Sequence, residues 1–167
     1  CHTNPWIMIA ETRLHHPDHA WDYYTRIAPA YREDISDVHR LEPYVYSQMI
    51  AGKDAFKPGE AKNSWLTGTA AWNWATISQY ILGIQPDYNG LVIDPCIPSD
   101  WKEYTVNRRF RGAEYRITVK NPDGISKGVS KLVVDGDETG GNLIPLPGDH
   151  GVHDVEVIMG KEGGLSE

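Results

Sequence analysis

The sequence predicts a two-part α + β protein: a helical segment over residues 1–85, an all-β segment over 86–160 and a polar tail over 161–167. Three observations carry this reading. In the first part apolar residues recur at helical spacing, most clearly Ala70, Trp74, Ile77 and Ile81 in the almost wholly apolar stretch 70–83. Beyond residues 85–90 the period falls to that of a strand, as in Arg116-Ile117-Thr118-Val119-Lys120 and Val155-Glu156-Val157-Ile158. The short apolar runs there are separated by Asn121-Pro122-Asp123-Gly124, Asp135-Gly136 and Pro147-Gly148-Asp149, residues that favour tight turns.

Taken in order, Thr3 or Asn4 is expected to cap a first helix, with Pro5 near its first helical position and the helix running over 6–14. His15-His16-Pro17 breaks it. Asp18 caps a second helix to about residue 28, with Trp21, Tyr24, Ile27 and Ala28 on one face and Pro29 as its stop. Residues 31–41 are charged and mixed, a loop with a short helical turn. Glu42-Pro43 can open a third helix over 44–50, closed by Gly52. A polar loop follows over 53–62. Residues 63–72 then form a turn that runs straight into the last helix, 70–83. A helix apolar all round wants cover on every side, so four helices here cannot make a self-sufficient bundle. Together with the absence of an initiator Met before Cys1 and the polar end over 160–167, this predicts a piece of a longer chain. Strands are expected at 91–93, 104–106, 115–119, 131–134, 143–144 and 152–158, and their spacing fits an antiparallel sandwich of jelly-roll type.

Composition narrows the function. The chain has 167 residues and a net charge of −7, whereas binding nucleic-acid phosphates needs a basic stripe. No apolar run reaches the ~18 residues of a membrane span, and no basic-then-apolar start resembles a signal peptide. The expectation is a cytoplasmic protein without nucleic-acid or membrane partners. Cys1 and Cys96 lie far apart, which implies neither a disulfide framework nor a zinc cluster. The 6 tryptophans and 9 tyrosines suit sugar faces, but they fill ordinary cores equally well.

Few residues stand out as chemistry. Thr67-Gly68-Thr69 at a helix start reads either as an ordinary N-cap or as an anion site, where free N–H groups meet the positive end of the helix dipole. His15, His16, Asp18 and His19 read as a polar turn between helices, since their spacing matches no closed metal site. Glu42 reads as a helix N-terminal charge ahead of a site carboxylate. Glu60, Lys62 and Asn63 could line a pocket or simply be loop. His150 and His153 carry no assignment. No Ser-His-Asp order, nucleotide-binding glycine loop or Cys-pair motif is present.

The segments CHTNPW at 1–6, LEPYVYSQMIAGKD at 41–54, GEAKNSWLTGTAAW at 59–72, YILGIQPDYNGLVIDPCIPSDW at 80–101 and FRGAEYRITVKNP at 110–122 resemble the C-terminal part of the cellobiose and N,N′-diacetylchitobiose phosphorylases. The resemblance implies the last helices of an (α/α)6 barrel followed by the C-terminal β domain. It implies an inverting phosphorolysis of a β-linked disaccharide, cellobiose first, with diacetylchitobiose or a related disaccharide as the alternative. For cellobiose the products are α-D-glucose 1-phosphate and glucose. By this resemblance His2, Thr67 and Gly68 bind phosphate, and Asn4 lies near the leaving-sugar subsite. The general-acid Asp and an Arg partner lie upstream, so the chain alone is expected to be inactive. A homodimer is implied, with no metal and no organic cofactor beyond phosphate as co-substrate. A reading of another class, a non-catalytic carbohydrate-binding module, gives no reason for a phosphate seat.

Overall fold

The computed structural model describes residues 1–161, so the expected tail lies almost wholly outside the described residues. The chain divides into two compact units, Cys1–Ile77 and a second that begins at Ser78.

In the first unit α1 (Asn4–Arg13) packs on α2 (Pro17–Ile27). Pro5, Met8 and Thr12 of α1 are buried, as are Ala20 and Ile27 of α2. Pro17 opens α2 and His16, not Asp18, is its N-cap; Asp18 lies in the first turn, where its charge suits the helix end. Three single turns follow, Pro29–Tyr31, Glu33–Ile35 and α3 (Ser36–His39), the last stopped by Arg40 at φ 58°.

The expected third helix does not form. A turn at 43–44, closed by the Val45 N–H donating to the Glu42 carbonyl at 3.1 Å, leads through an irregular segment into β1 (Met49–Ile50), which pairs antiparallel with β2 (Ala61–Lys62). The reason is visible in the side chains: Val45 and Ser47 are buried while Tyr44 and Gln48 are exposed, a two-residue period, and Tyr-Val-Tyr is strand chemistry.

The last helix is also shorter and turned over. α4 spans Thr69–Ala75 and passes into a wider helical turn, Thr76–Ile81. Its buried side is polar, with Thr69, Asn73 and Thr76 fully buried, while Trp72 and Trp74 are 40% and 56% exposed. Hydrogen bonds make polar burial tolerable. Asn73 Nδ2 donates to the Thr69 carbonyl at 2.9 Å and Thr76 Oγ1 to the Pro5 carbonyl at 3.4 Å.

The second unit holds β3 (Ile84–Pro86), β4 (Gly90–Ile93), β5 (Glu103–Phe110), β6 (Ala113–Lys120), β7 (Val129–Val134), β8 (Asp137–Thr139), β9 (Leu143–Pro145) and β10 (Val152–Met159). They form a five-stranded sheet in the order β5-β6-β10-β7-β8 and a three-stranded sheet, β3-β4-β9. All six expected strands are present. The purely antiparallel arrangement is not: β10 runs parallel to β6, in register from Val152 opposite Glu114 to Ile158 opposite Lys120, and antiparallel to β7. Parallel neighbours need a long crossover, and residues 121–151 supply one that carries β7, β8 and β9 on the way. Alternation survives, with Tyr115, Ile117 and Val119 of β6 and Val155, Val157 and Met159 of β10 buried. The expected Asp135-Gly136 turn joins β7 to β8 with φ 51° and 93°, the left-handed pair of a type I′ hairpin. Asn121, 1% exposed, staples the turn after β6 by donating to the Trp101 and Ile125 carbonyls and accepting from the Ile125 N–H, all within 2.9 Å. At Gly83, with φ 73°, any Cβ would sit 2.2 Å from the backbone of Asp94 and Pro95, so only glycine fits there.

A second staple involves His153, which the sequence left unassigned. Its Nδ1 lies 2.7 Å from Asp135 Oδ2 and its Nε2 3.1 Å from Asp149 Oδ1. Both partners are carboxylates, so both ring nitrogens carry protons. The bond to Asp135 chiefly raises the His153 pKa. The bond from His153 chiefly lowers the Asp135 carboxyl, and the Gly151 N–H chiefly lowers that of Asp149. A raised histidine contributes stability below its unfolded value of about 6.5 and loses it as pH rises through the folded value. The two lowered carboxyls contribute above about 3.9 and lose it as pH falls through their folded values. Thermal melts of the wild type and of His153→Gln are therefore expected to differ most between about pH 4 and 6.5, the gap closing as pH rises toward 9. A gap that stays constant across this range would refute the staple.

Candidate functional site

The β1–β2 ribbon positions the Thr-Gly turn. Gln48 N–H donates to the Lys62 carbonyl at 3.2 Å and Asn63 Nδ2 to Gln48 Oε1 at 2.7 Å, which returns the loop over 63–68 to the side of Ser47. The loop bends sharply: Asn63 and Trp65 adopt φ 56° and 68°, a left-handed conformation that costs a tryptophan of order 1–3 kcal/mol. A hydrogen bond of 3.1 Å from Trp65 Nε1 to Glu42 Oε1 helps to hold it there. Glu42 is thus a loop anchor and not a helix N-terminal charge. Its carboxyl is lowered first by its own backbone N–H and then by Trp65.

At the end of the loop Thr67 Oγ1 accepts the Thr69 N–H at 3.1 Å and lies 2.6 Å from Thr69 Oγ1. Thr69 Oγ1 donates to the Ser47 carbonyl at 3.1 Å. Gly68, not a threonine, is the N-cap of α4. With 7 residues α4 is short, and a short helix brings little dipole to an anion.

What the turn gains instead is His2. A Cβ placed on Gly68 would lie 2.9 Å from His2 Cε1 and 3.2 Å from its Nδ1, so the imidazole rests directly on the glycine. The ring is held edge-on by Trp6, with centroids 6.2 Å apart, and Trp6 meets Trp72 edge-on at 5.6 Å. Cys1 ties this end to the same ribbon, its Sγ 3.4 Å from Ser47 Oγ and its nitrogen donating to the Gln48 carbonyl. Neither ring nitrogen of His2 nor the N–H of Gly68 has a hydrogen-bond partner among the described residues. His2, Thr67 and Gly68, 65 residues apart in sequence (67 − 2), thus form one cluster. The ring of His2 and the N–H of Gly68, both without partners, can receive an anion's oxygens beside the Thr67 hydroxyl, which is engaged with Thr69.

Asn4 is placed otherwise. It opens α1 and lines a surface depression with Ile7, Tyr23 and Arg26. Thr69 and Ser47 were missed by sequence reasoning. Thr69 was legible only as a possible cap, and nothing local marks Ser47.

One group has the composition of a metal site: Glu11, His16 and His19. Glu11 Oε2 lies 2.8 Å from His16 Nδ1 and 3.5 Å from His19 Nδ1. Hydrogen bonding to His16 is the main cause of the lowered Glu11 carboxyl. A carboxylate can only accept, so the His16 nitrogen facing it carries a proton and offers no lone pair to a metal. The group reads as a clasp across the α1–α2 turn.

Residues 1–83 match the model of the glycosyl hydrolase 94 superfamily, catalytic domain, and residues 84–127 that of the glycosyl hydrolase family 65 C-terminal domain. Residues 1–83 belong to the glycosyl hydrolase 94 superfamily. It is 42% identical over 159 residues to the N,N′-diacetylchitobiose phosphorylase of Vibrio proteolyticus, covering 95% of this chain and 20% of that protein. It is 36% identical to the solabiose phosphorylase of Paenibacillus borealis, with 95% and 21% covered. To the 3-O-beta-D-glucopyranosyl-beta-D-glucuronide phosphorylase of the same organism it is 38% identical, with 82% and 18% covered. The chain spans about a fifth of the length of these curated relatives. The whole cluster of His2, Thr67 and Gly68 falls within the glycosyl hydrolase 94 match.

Gly68 has φ −79°, which any residue adopts, so alanine there crowds the His2 ring and makes an ordinary contact, 3.6 Å, with Trp72 Cδ1. Gly68→Ala is expected to cost about 1 kcal/mol as an N-cap change while displacing the imidazole. NMR of the His2 ring checks this, and unchanged His2 resonances in the variant would refute the contact.

Proposed function

We propose that this chain supplies the phosphate seat of an inverting phosphorylase acting on a β-linked disaccharide. The observation that carries the reading is the His2 ring resting on Gly68 beside Thr67. An inverting glycosidase pairs a carboxylic acid, which protonates the leaving oxygen, with a carboxylate that activates water on the opposite face. A phosphorylase replaces the water and its base with phosphate, which is already an anionic nucleophile. The protein's task is then to hold that anion in line with the anomeric carbon. A ring N–H of His2 and the backbone N–H of Gly68 donate to phosphate oxygens, and Thr67 contributes its hydroxyl. The proton for the leaving oxygen comes from a carboxylic acid that we do not assign to any residue of this chain. The products are an α-sugar 1-phosphate and a free sugar.

Glycosyl hydrolase 94 relatives named as phosphorylases support the reaction class. Two of them are named for N,N′-diacetylchitobiose, which favours that disaccharide over cellobiose. The reading calls for no metal or organic cofactor, and a cytoplasmic homodimer belongs to it. No helix among the described residues is long and apolar enough to cross a membrane.

The test uses the full-length polypeptide that carries these residues. Initial rates of sugar 1-phosphate release with phosphate and either N,N′-diacetylchitobiose or cellobiose are expected to favour the former. Thr67→Val is expected to raise the KM for phosphate roughly tenfold or more, the loss of one hydrogen bond to a charged group. An unchanged phosphate KM in Thr67→Val would remove Thr67 from the seat. Absence of phosphate-dependent cleavage of any β-linked disaccharide would reject the reading.

A further inference from the structure

Thr69 is fully buried, and its hydroxyl is the middle member of a chain of three oxygens. The protons on that chain can be placed by counting. The Ser47 carbonyl only accepts, so the single proton of Thr69 Oγ1 points to it across 3.1 Å. The 2.6 Å contact between the two threonine hydroxyls must then be filled by the proton of Thr67. Thr67 Oγ1 also accepts the Thr69 N–H at 3.1 Å. In this arrangement the side chain of Thr67 is fixed by Thr69 from two directions, and its proton faces inward.

An anion on the Gly68 side needs that proton to face outward, because two acceptors at hydrogen-bond distance repel. The reversal leaves the Ser47 carbonyl without its donor, a cost of about one neutral hydrogen bond that the stronger, charge-assisted bond from Thr67 to the anion offsets. If the Thr69 proton leaves the Ser47 carbonyl and turns to Thr67 Oγ1, the Thr67 proton is released to the anion. The 2.6 Å contact then remains a hydrogen bond with its sense inverted. No bond is made or broken beyond hydrogen bonds, and no proton leaves its own oxygen.

Resting on the phosphate reading above, we propose that Thr69 is a positioning residue: its buried hydroxyl fixes the rotamer of Thr67 and reverses its hydrogen-bond sense when phosphate binds. Ser47 supplies the carbonyl that holds the proton in the unliganded state. The same residue contacts Cys1, next to His2. Both halves of the seat therefore contact one residue two positions before β1, and the relay reports to Thr67 alone.

The experiment is a double-mutant cycle in the full-length polypeptide, read as the KM for inorganic phosphate with kcat and Tm alongside. Thr69→Val keeps the shape and removes the hydroxyl; it is expected to raise the phosphate KM about three- to tenfold, the value of one neutral hydrogen bond of about 1 kcal/mol. Thr69→Ser restores the hydroxyl and is expected to return the KM to within twofold of wild type. Because Thr69 acts through Thr67, the double variant Thr67→Val/Thr69→Val is expected to bind phosphate no worse than Thr67→Val alone. A double variant whose KM is the product of the two single effects would overturn the proposal, as would a Thr69→Val KM equal to wild type, or a Thr69→Ser variant no better than Thr69→Val. If Thr69→Val fails to fold, Thr69→Ala and Thr69→Cys take its place in the cycle, with the same three outcomes decisive. Should the full-length polypeptide show no phosphate-dependent cleavage, the phosphate reading falls; should Thr67→Val itself leave the KM unchanged, Thr67 leaves the seat and the relay falls with it. Should Thr67→Val raise it while Thr69→Val does not, only the relay falls.

Discussion

The first unit depends on one backbone carbonyl. Ser47 lies in the irregular segment before β1, with its side chain turned inward and its carbonyl aimed at Thr69. A buried carbonyl left without a donor costs about as much as a lost hydrogen bond, so the position of Thr69 is set by where the ribbon places Ser47. Thr69 in turn fixes Thr67, and Cys1 rests against the Ser47 hydroxyl. The strained Trp65, tied to Glu42, bends the intervening loop so that the two ends meet. The cluster is therefore built by a short two-stranded ribbon and a glycine, with the helix that follows as a consequence.

The same constraint explains why α4 lies with its polar side inward. Thr69, Asn73 and Thr76 recur at four- and three-residue spacing, which puts them on one face. Once Thr69 is drawn to Ser47, the other two follow it into the interior, where they donate to carbonyls of α4 itself and of Pro5. The alanines and tryptophans of the helix then face outward, so apolar residues are the exposed ones in this stretch. Burial here follows hydrogen bonds made by Thr69, Asn73 and Thr76 and not hydrophobicity alone, although Asn73 Oδ1 is buried without a partner.

The second unit is governed by a different rule. Its strands obey the two-residue period, and the turns that join them are glycine and aspartate turns of ordinary type. The placement of β10 between β6 and β7 makes the five-stranded sheet mixed. The carboxylates of Asp135 and Asp149 close on His153 and hold the start of β10 to the flanking loops.

The sequence by itself determined the order of helix and strand, the glycine and aspartate turns at 121–124, 135–136 and 147–149 that separate strands, and the family, because each of these rests on local pattern. The runs CHTNPW and WLTGT carried the residues His2, Thr67 and Gly68 to a phosphate role as a resemblance, whereas local spacing left an ordinary cap and an anion site both open. Three things were decided only by tertiary structure. Met49 and Ile50 became strand instead of the end of a helix because Lys62 and Ala61 offered a partner, and strand pairing is a property of two distant segments. The sheet acquired a parallel pair because register between β6 and β10 is set across a crossover of 31 residues, from 121 to 151, which no window of sequence spans. And His2 came to lie on Gly68, with Thr69 and Ser47 behind it, because hydrogen bonds between residues 22 and more positions apart chose that arrangement. Local pattern names the residues that can carry charge or donate a proton; only the packed chain decides which way each proton points.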